Sequence, residues 1–406
     1  MMKILFICPY IPSQIRVRSY NFLRVLAARG HEITLALLAP PGEPADTLPV
    51  LKQWCKSVHV IPHTRSQTLR NGLLGLAGDL PLQAAYSRSP GFNQLIRELT
   101  ARESFDVVHL EHLRGAPLVD AISNLPIVFD SVDSITLLFE KTLAGGPNLK
   151  SRLMAKLELG RTRRFEGRLT QLYDYTAVCS ELDRRRLIEL GNDPNRIGYV
   201  PSCVDTAYFQ PVAVERDPLL LIFTGKMSYH ANVAAIMDVI HHIMPLVWAQ
   251  QPEARLQIVG KDPPPVVQAL AADPRIEVTG FVSDLRPYLA KAAVSIGYVR
   301  YGVGLTTKVI QAMAMGTPVV ATPHAVSTLN TEHGRDVLVA AGNEEFAQQI
   351  INLLNSPELR AKIGAAGRRY VEQHQTWESA VSQLERLYHQ AIERHQNVSD
   401  GKAELV

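Results

Sequence analysis

The sequence predicts an α/β protein of two doubly wound parallel sheets, and three observations carry that reading. Apolar runs of strand length alternate with helical patterns from residue 3 onward; the alternation breaks between residues 198 and 218 and begins afresh at Leu219; and 406 residues exceed what one ordinary core needs. Such alternation implies right-handed crossovers, with ligands held at the carboxyl ends of the strands.

In the first half, residues 3–8 form an apolar strand. A polar loop carrying Arg16 and Arg18 leads to a helical pattern at 20–28 and a second strand at 31–38. Further strands are expected at 58–61, 107–110, 127–129 and 175–179, with helices at 90–102 and 149–172. The 149–172 stretch carries Lys150, Arg152, Lys156, Arg161, Arg163, Arg164 and Arg168, with leucines on its other side. It reads either as a solvated helix face or as a contact with an anionic membrane surface or acceptor. The second half repeats the alternation, with strands at 219–224, 255–259, 276–279, 294–298, 319–322 and 337–339, and helices at 233–247, 266–272 and after the glycine loop. After Phe346 the pattern is helical. The division expected is an N-terminal domain over 1–200, a second domain over 201–376, a helix over 377–395 that packs back across the linker, and a polar tail over 396–406.

Composition is that of a globular chain. With 42 basic and 39 acidic residues, evenly spread, the net charge of +3 gives no argument for nucleic acid, so an anionic partner must be recognised locally. Cys8, Cys55, Cys179 and Cys203 lie far apart without a CxxC pair or a zinc-spaced histidine cluster; neither a disulfide framework nor a metal site is indicated, and a reducing cytoplasm is expected. The opening MMKILFICPYIP reads as a buried first strand rather than a leader, and no run approaches eighteen apolar residues.

The stretch RYGVGLTTKVIQAMAMGTPVVAT, residues 300–322, sets a glycine loop before a helix with apolar residues at Val309, Ile310, Met313 and Ala314. Unpaired N–H groups and the positive helix end suit a phosphate there, although glycines alone fit a plain turn before a buried helix equally. Arg300 and Lys308 flank the loop, and GKMSYHAN places Lys226 and Asn232 at another strand end, so several cations can converge on one diphosphate. In the first half, VVHLEHLRG ends a strand with His109, Glu111 and His112, and FDSVD ends the next with Asp130 and Asp133. Strand alternation puts His109 and Glu111 on one side and His112 on the other, in a polar cluster expected to face the cleft; Asp133 and Ser134 fit helix caps as well.

Together GKMSYHAN, IVGKDPPP, VTGFVSDLRPYL, residues 300–322 and the VPSCVD linker resemble the GT-B glycosyltransferases of the large retaining family 4 type, also described as glycosyl transferases group 1. RVRSY, HLEHLRGA and FDSVD look like sugar transferases of exopolysaccharide and exosortase clusters. The resemblance implies two Rossmann-like domains facing across a cleft. A nucleoside diphosphate sugar donor belongs in the second and a saccharide or lipid-linked acceptor in the first, and the sugar is transferred with retention and without a metal. By matched position, Lys226 and Asn232 would meet the phosphates, Phe281 and Val282 the nucleobase, Gln311 the ribose, and Gly304 and Leu305 the pyrophosphate. Lys226, Arg300 and Lys308 would offset leaving-group charge, Arg16 would add positive charge, and Glu111 or His112 would orient the sugar or acceptor.

This chain departs from the pattern in several places. The two glutamates of the family fall at Val303 and Gln311, and Lys226 and Asn232 replace an arginine and a lysine. Gln311 gives up a charged acceptor for the ribose, a loss on the order of 1 kcal/mol. Alternatives are therefore a weak or inactive homologue that binds nucleotide or glycan as an assembly partner, and, with less support, a nucleotide-sugar epimerase.

Overall fold

Two units divide the chain: Met1–Ser202 with Trp377–Val406, and Cys203–Thr376. The structure, a computed structural model, describes residues 1–13, 16–145, 149–299 and 307–403. Arg300, Val303, Gly304 and Leu305 lie outside the described residues.

In the first unit the strands are β1 (Lys3–Cys8), β2 (Glu32–Ala39), β3 (Ser57–Pro62), β4 (Val107–Glu111), β5 (Ile127–Val132), β6 (Tyr175–Val178) and β7 (Ile197–Tyr199). They form one parallel sheet in the order β3-β2-β1-β4-β5-β6-β7. Order reverses between β1 and β4, which makes the carboxyl ends of those two strands the switch point where such sheets hold ligands. The central strands are covered on both faces, and this is why β1 reads as an apolar run and β4 buries even its His109 and Glu111.

Helix Pro90–Arg102 starts where Ser89 accepts a hydrogen bond from the Phe92 amide and Pro90 takes the first turn. The expected single helix over 149–172 is two: Leu149–Glu166, then Leu169–Leu172, with Gly167 between them. The long last helix, Trp377–Ala403, packs against helix Val17–Ala28 and the strands β4, β5 and β6. His109 is its anchor point in the sheet. The imidazole stacks on Phe6 at 4.0 Å and meets the Tyr388 hydroxyl at 2.9 Å through Nδ1. Burial pushes His109 down to about 4, so a neutral ring serves as packing and hydrogen-bond partner. At the helix edge Glu385 accepts from Arg29 at 2.5 Å and meets His31 at 2.8 Å.

The second unit has β8 (Asp217–Thr224), β9 (Arg255–Val259), β10 (Ile276–Gly280), β11 (Ala292–Gly297), β12 (Val319–Ala321) and β13 (Leu338–Val339). Their order, β10-β9-β8-β11-β12-β13, again parallel, reverses between β8 and β11. The crossover from β8 to β9 is a helical run over His230–Gln250 containing one wide turn at Val239–Ile243. This run is long and apolar enough to cross a membrane by composition. Its Ala235, Ile236, Val239, Ile243, Met244 and Val247 are nevertheless core residues of the second unit, packed with Leu256, Ile258 and Ile350.

Candidate functional site

Three strand ends in the second unit are drawn together by main-chain hydrogen bonds. The Gly225 amide donates to the Val259 carbonyl at 3.0 Å, Met227 to Lys261 at 2.9 Å and Gly260 to Gly280 at 3.1 Å. A Cβ at position 260 would stand 1.7 Å from the Gly225 oxygen and one at 225 only 2.7 Å from Asn232 Nδ2, so only glycine permits this approach.

Above it lies a cavity of about 750 Å³, bordered by Lys226, Lys261, Lys308, Asn232, Phe281 and Gln311 among others. Its described lining has three lysines and no carboxylate. Two helices begin at its edge, His230–Asp238 and Thr307–Ala314, and each brings a positive dipole end there. Such a pocket has the electrostatics of a polyanion site.

The lysines differ. Lys226 is exposed at the rim, whereas Lys308 reaches inward, its Nζ 4.1 Å from the Phe223 ring centre and 2.8 Å from Asn232 Oδ1. Desolvation pushes the Lys308 ammonium down to about 7. Asn232 also donates from Nδ2 to the Lys226 carbonyl at 3.0 Å. Its amide, matched by sequence to a phosphate contact, is thus committed to holding the Lys226 loop and the Lys308 head group. Phe281, 73% exposed, offers a ring face beside Val282 on the far wall. Lys261 was not singled out by the sequence reading. The signal was available: a Gly-Lys pair ends both β8 and β9, at 225–226 and 260–261.

In the first unit the expected cluster forms at the β1/β4 switch point but is packed rather than open. β4 is a central strand, so Glu111 is buried, and both its oxygens are taken by the Tyr10 hydroxyl and by Cys8 Sγ at 3.3 Å. Burial, and then the Asp130 charge, push Glu111 up to about 7. Arg18, read from the sequence in the same first loop as Arg16, is buried in a two-point pair with Asp130, at 2.7 and 3.0 Å. Removing either partner strands a buried charge, at a cost of about 3–5 kcal/mol.

His112 has φ +65° and ψ 152°, a conformation L-residues rarely adopt; its amide donates to the Asp130 carbonyl at 2.7 Å and its Nδ1 accepts from the Arg114 amide. Val132, ending β5, also has φ +65°. Two strained non-glycine residues at neighbouring strand ends cost roughly 1–3 kcal/mol each and cluster at functional sites. Burial, then Arg114 and Arg16, hold His112 neutral at about 4. Arg16 is partly exposed, stacked over Tyr10 at 4.4 Å and 3.7 Å from Glu43. Asp133, Cys179 and Asp183 come within 4.8 Å of one another, with Cys179 Sγ donating to Asp133 and the Ser134 amide to Asp183. All four cysteines are buried free thiols.

A parallel sheet with its lysine-rich pocket at the switch point, preceded by a second sheet of the same build, defines a two-unit α/β protein with a candidate polyanion site, and comparison with known proteins specifies it. Residues 15–208 match the model "Glycosyltransferase Family 4", and residues 218–356 match "Glycosyl transferases group 1". The chain belongs to the GT-B glycosyltransferases of that type. An MMP alpha-(1->4)-mannosyltransferase of Mycolicibacterium hassiacum is 25% identical over 307 residues, 72% of each chain. A GDP-mannose-dependent monoacylated alpha-(1-6)-phosphatidylinositol monomannoside mannosyltransferase of Corynebacterium glutamicum is 29% identical over 52% of this chain and 58% of its own length. In fold, the chain resembles HepE of Anabaena, solved with UDP and glucose, at TM-score 0.65 and 14% identity over 95% of this chain and 99% of that one. Sucrose-phosphate synthase of Thermosynechococcus elongatus gives TM-score 0.66 and 17% identity over 97% and 100%.

Two outcomes follow. Gly260→Ala forces the β8 and β9 ends apart; it should cost about 1–3 kcal/mol of stability, read as a lower unfolding midpoint, and weaken nucleotide binding. A diphosphate bound at Lys308 raises the ammonium's pKa, so binding takes up a proton. Affinity for a nucleoside diphosphate should therefore fall as pH rises from 7.5 to 9, by up to about tenfold per unit, and Lys308→Arg should flatten that slope in calorimetric titrations.

Proposed function

We propose that the chain transfers a hexose-type sugar, with retained anomeric configuration, from a nucleoside diphosphate donor in the second unit's cavity to a saccharide or lipid-linked acceptor bound by the first unit. The reaction serves surface polysaccharide assembly at the cytoplasmic face of the membrane. The observation that carries this is the cavity itself, with three lysines, no carboxylate in its described lining, two helix N-termini and the exposed ring of Phe281.

Breaking the sugar–phosphate bond puts negative charge on the departing diphosphate. In this reading Lys226, Lys261 and Lys308, which border the cavity, offset that charge together with the positive end of helix Thr307–Ala314. Asn232 holds Lys308 in place. Phe281 and Val282 take the nucleobase and Gln311 the ribose. Arg300 keeps its assignment as a further phosphate cation on the sequence pattern alone. A front-face transfer with retention requires no protein nucleophile and no metal, so the charge compensation falls on these groups. Of the first-unit candidates, His112 lies just past the strand end and is only partly buried, while Glu111 is fully buried and held by Tyr10 and Cys8; His112 therefore meets the sugar or acceptor, and Glu111 positions the strand end. The mannosyltransferase that uses GDP-mannose and the HepE complex with UDP support different nucleobases, so the base is left to experiment.

Incubation with a panel of UDP-, GDP- and ADP-sugars, with released nucleoside diphosphate as readout, tests the reading. Turnover with one donor supports transfer; binding without turnover identifies a nucleotide-binding homologue; epimerised free donor identifies an epimerase. Gln311→Glu should tighten donor binding severalfold by restoring a charged ribose acceptor, and a loss of affinity would contradict the placement of the ribose.

A further inference from the structure

Helix Arg65–Gly75 is well started, with Thr64 Oγ1 accepting from the Gln67 amide at 3.2 Å and Gln67 Oε1 accepting from the Thr64 amide at 2.8 Å. Its buried positions are Asn71 and Gly75, which turns Leu69, Leu73, Leu74 and the following Leu76 to solvent, each more than half exposed. Helix Leu149–Glu166 buries Ala155, Glu158, Thr162 and Phe165, and turns Leu149, Leu153 and Leu157, one turn apart, outward, again more than half exposed. The two helices are tied together where Arg161 donates to the Leu76 carbonyl and to Glu158. Soluble surfaces seldom carry leucines in such groups.

The exposed charges on the two helices themselves have one sign. Helix Arg65–Gly75 contains no acidic residue. Both glutamates of the second helix are buried and occupied: Glu158 accepts from the Leu82 amide and Glu166 from Ser134, Ile135 and Thr136. Among the described side chains of the two helices, every exposed charge is therefore basic, at Arg65, Arg70, Arg152, Lys156, Arg163 and Arg164. Nearby, exposed Asp79 is 3.8 Å from Arg164, and Glu140 pairs with Arg163 at 2.5 Å. Helix Arg65–Gly75 follows the carboxyl end of β3, and the hairpin containing Leu149–Glu166 follows that of β5, the same edge of the sheet that carries Glu111 and His112.

We propose that the outer faces of helices Arg65–Gly75 and Leu149–Glu166 form one docking surface for an anionic lipid bilayer. The leucines enter the interface and the arginines and lysines meet the lipid phosphates. Charge chooses this occupant over a second copy of the chain, since self-association through the patch would set cations against cations. The proposal deepens the lipid-linked form of the acceptor reading by placing the enzyme on the surface where such an acceptor resides.

Vesicle flotation of the full chain, without donor or acceptor, tests it independently of transfer. Binding to phosphatidylcholine vesicles containing phosphatidylglycerol should exceed binding to phosphatidylcholine alone by at least about tenfold, and added salt should reduce it. The triple variant Leu73→Ser, Leu74→Ser, Leu153→Ser should bind those vesicles about tenfold more weakly with an unchanged unfolding midpoint. Arg152→Gln with Lys156→Gln should weaken binding about fivefold per cation and reduce its salt dependence. Equal binding to neutral and anionic vesicles, unchanged binding by the leucine variant, or a dimer in solution that the leucine changes dissociate without any vesicle binding would each overturn the proposal. Failure here together with normal nucleoside diphosphate release would leave transfer to a soluble acceptor standing.

Discussion

The carbonyl of Gly225 occupies the space a side chain at Gly260 would need, and the second unit's site depends on that contact. Because both residues are glycine, the loops leaving β8 and β9 touch main chain to main chain, and the Lys226 and Lys261 that follow border one cavity. Asn232 braces the same point from the next helix, bonded to the Lys226 carbonyl on one side and to Lys308 on the other. Two lysines are thereby set by backbone geometry and a third by an amide. A polyanion entering this pocket meets Lys226 and Lys261 at the strand ends and raises the proton affinity of the desolvated Lys308, so charge compensation grows as it binds.

The first unit solves a different problem at the equivalent place in its sheet. There the switch point is filled with polar groups that satisfy one another: Glu111 with Tyr10 and Cys8, and Arg18 with Asp130. A network of this kind contributes little net stability, but it holds the ends of β1, β4 and β5 in one arrangement. The strain it sustains at His112 and Val132 falls on those ends. His109, one pleat back, locks the sheet to the last helix through Tyr388.

How much of this was legible in the sequence follows from what each segment buries. Strands such as β1, β4 and β9 are covered on both faces and show as short, mainly apolar segments, and helix Pro90–Arg102 carries its own Ser89-Pro90 start signal; both kinds were readable. Helix Arg65–Gly75 was missed because its leucines point outward, the reverse of the pattern that marks a core helix. In the candidate site, Lys226, Asn232, Phe281, Val282, Lys308 and Gln311 do border one cavity. Lys261 escaped although the repeated Gly-Lys at two strand ends announced it. The packing of Glu111 was not readable, since its partners Cys8 and Tyr10 lie about a hundred residues away in the chain.

The central claim is that this cavity recognises a diphosphate through lysines held by the β8 and β9 ends. It is tested most directly by calorimetric titration of the protein with UDP, GDP and ADP alongside the matching monophosphates and nucleosides. The account predicts that one diphosphate binds at least about tenfold more tightly than its monophosphate, and the nucleoside most weakly, because each added charge meets a further lysine. Equal affinity for mono- and diphosphate, or no binding by any of them, would contradict it.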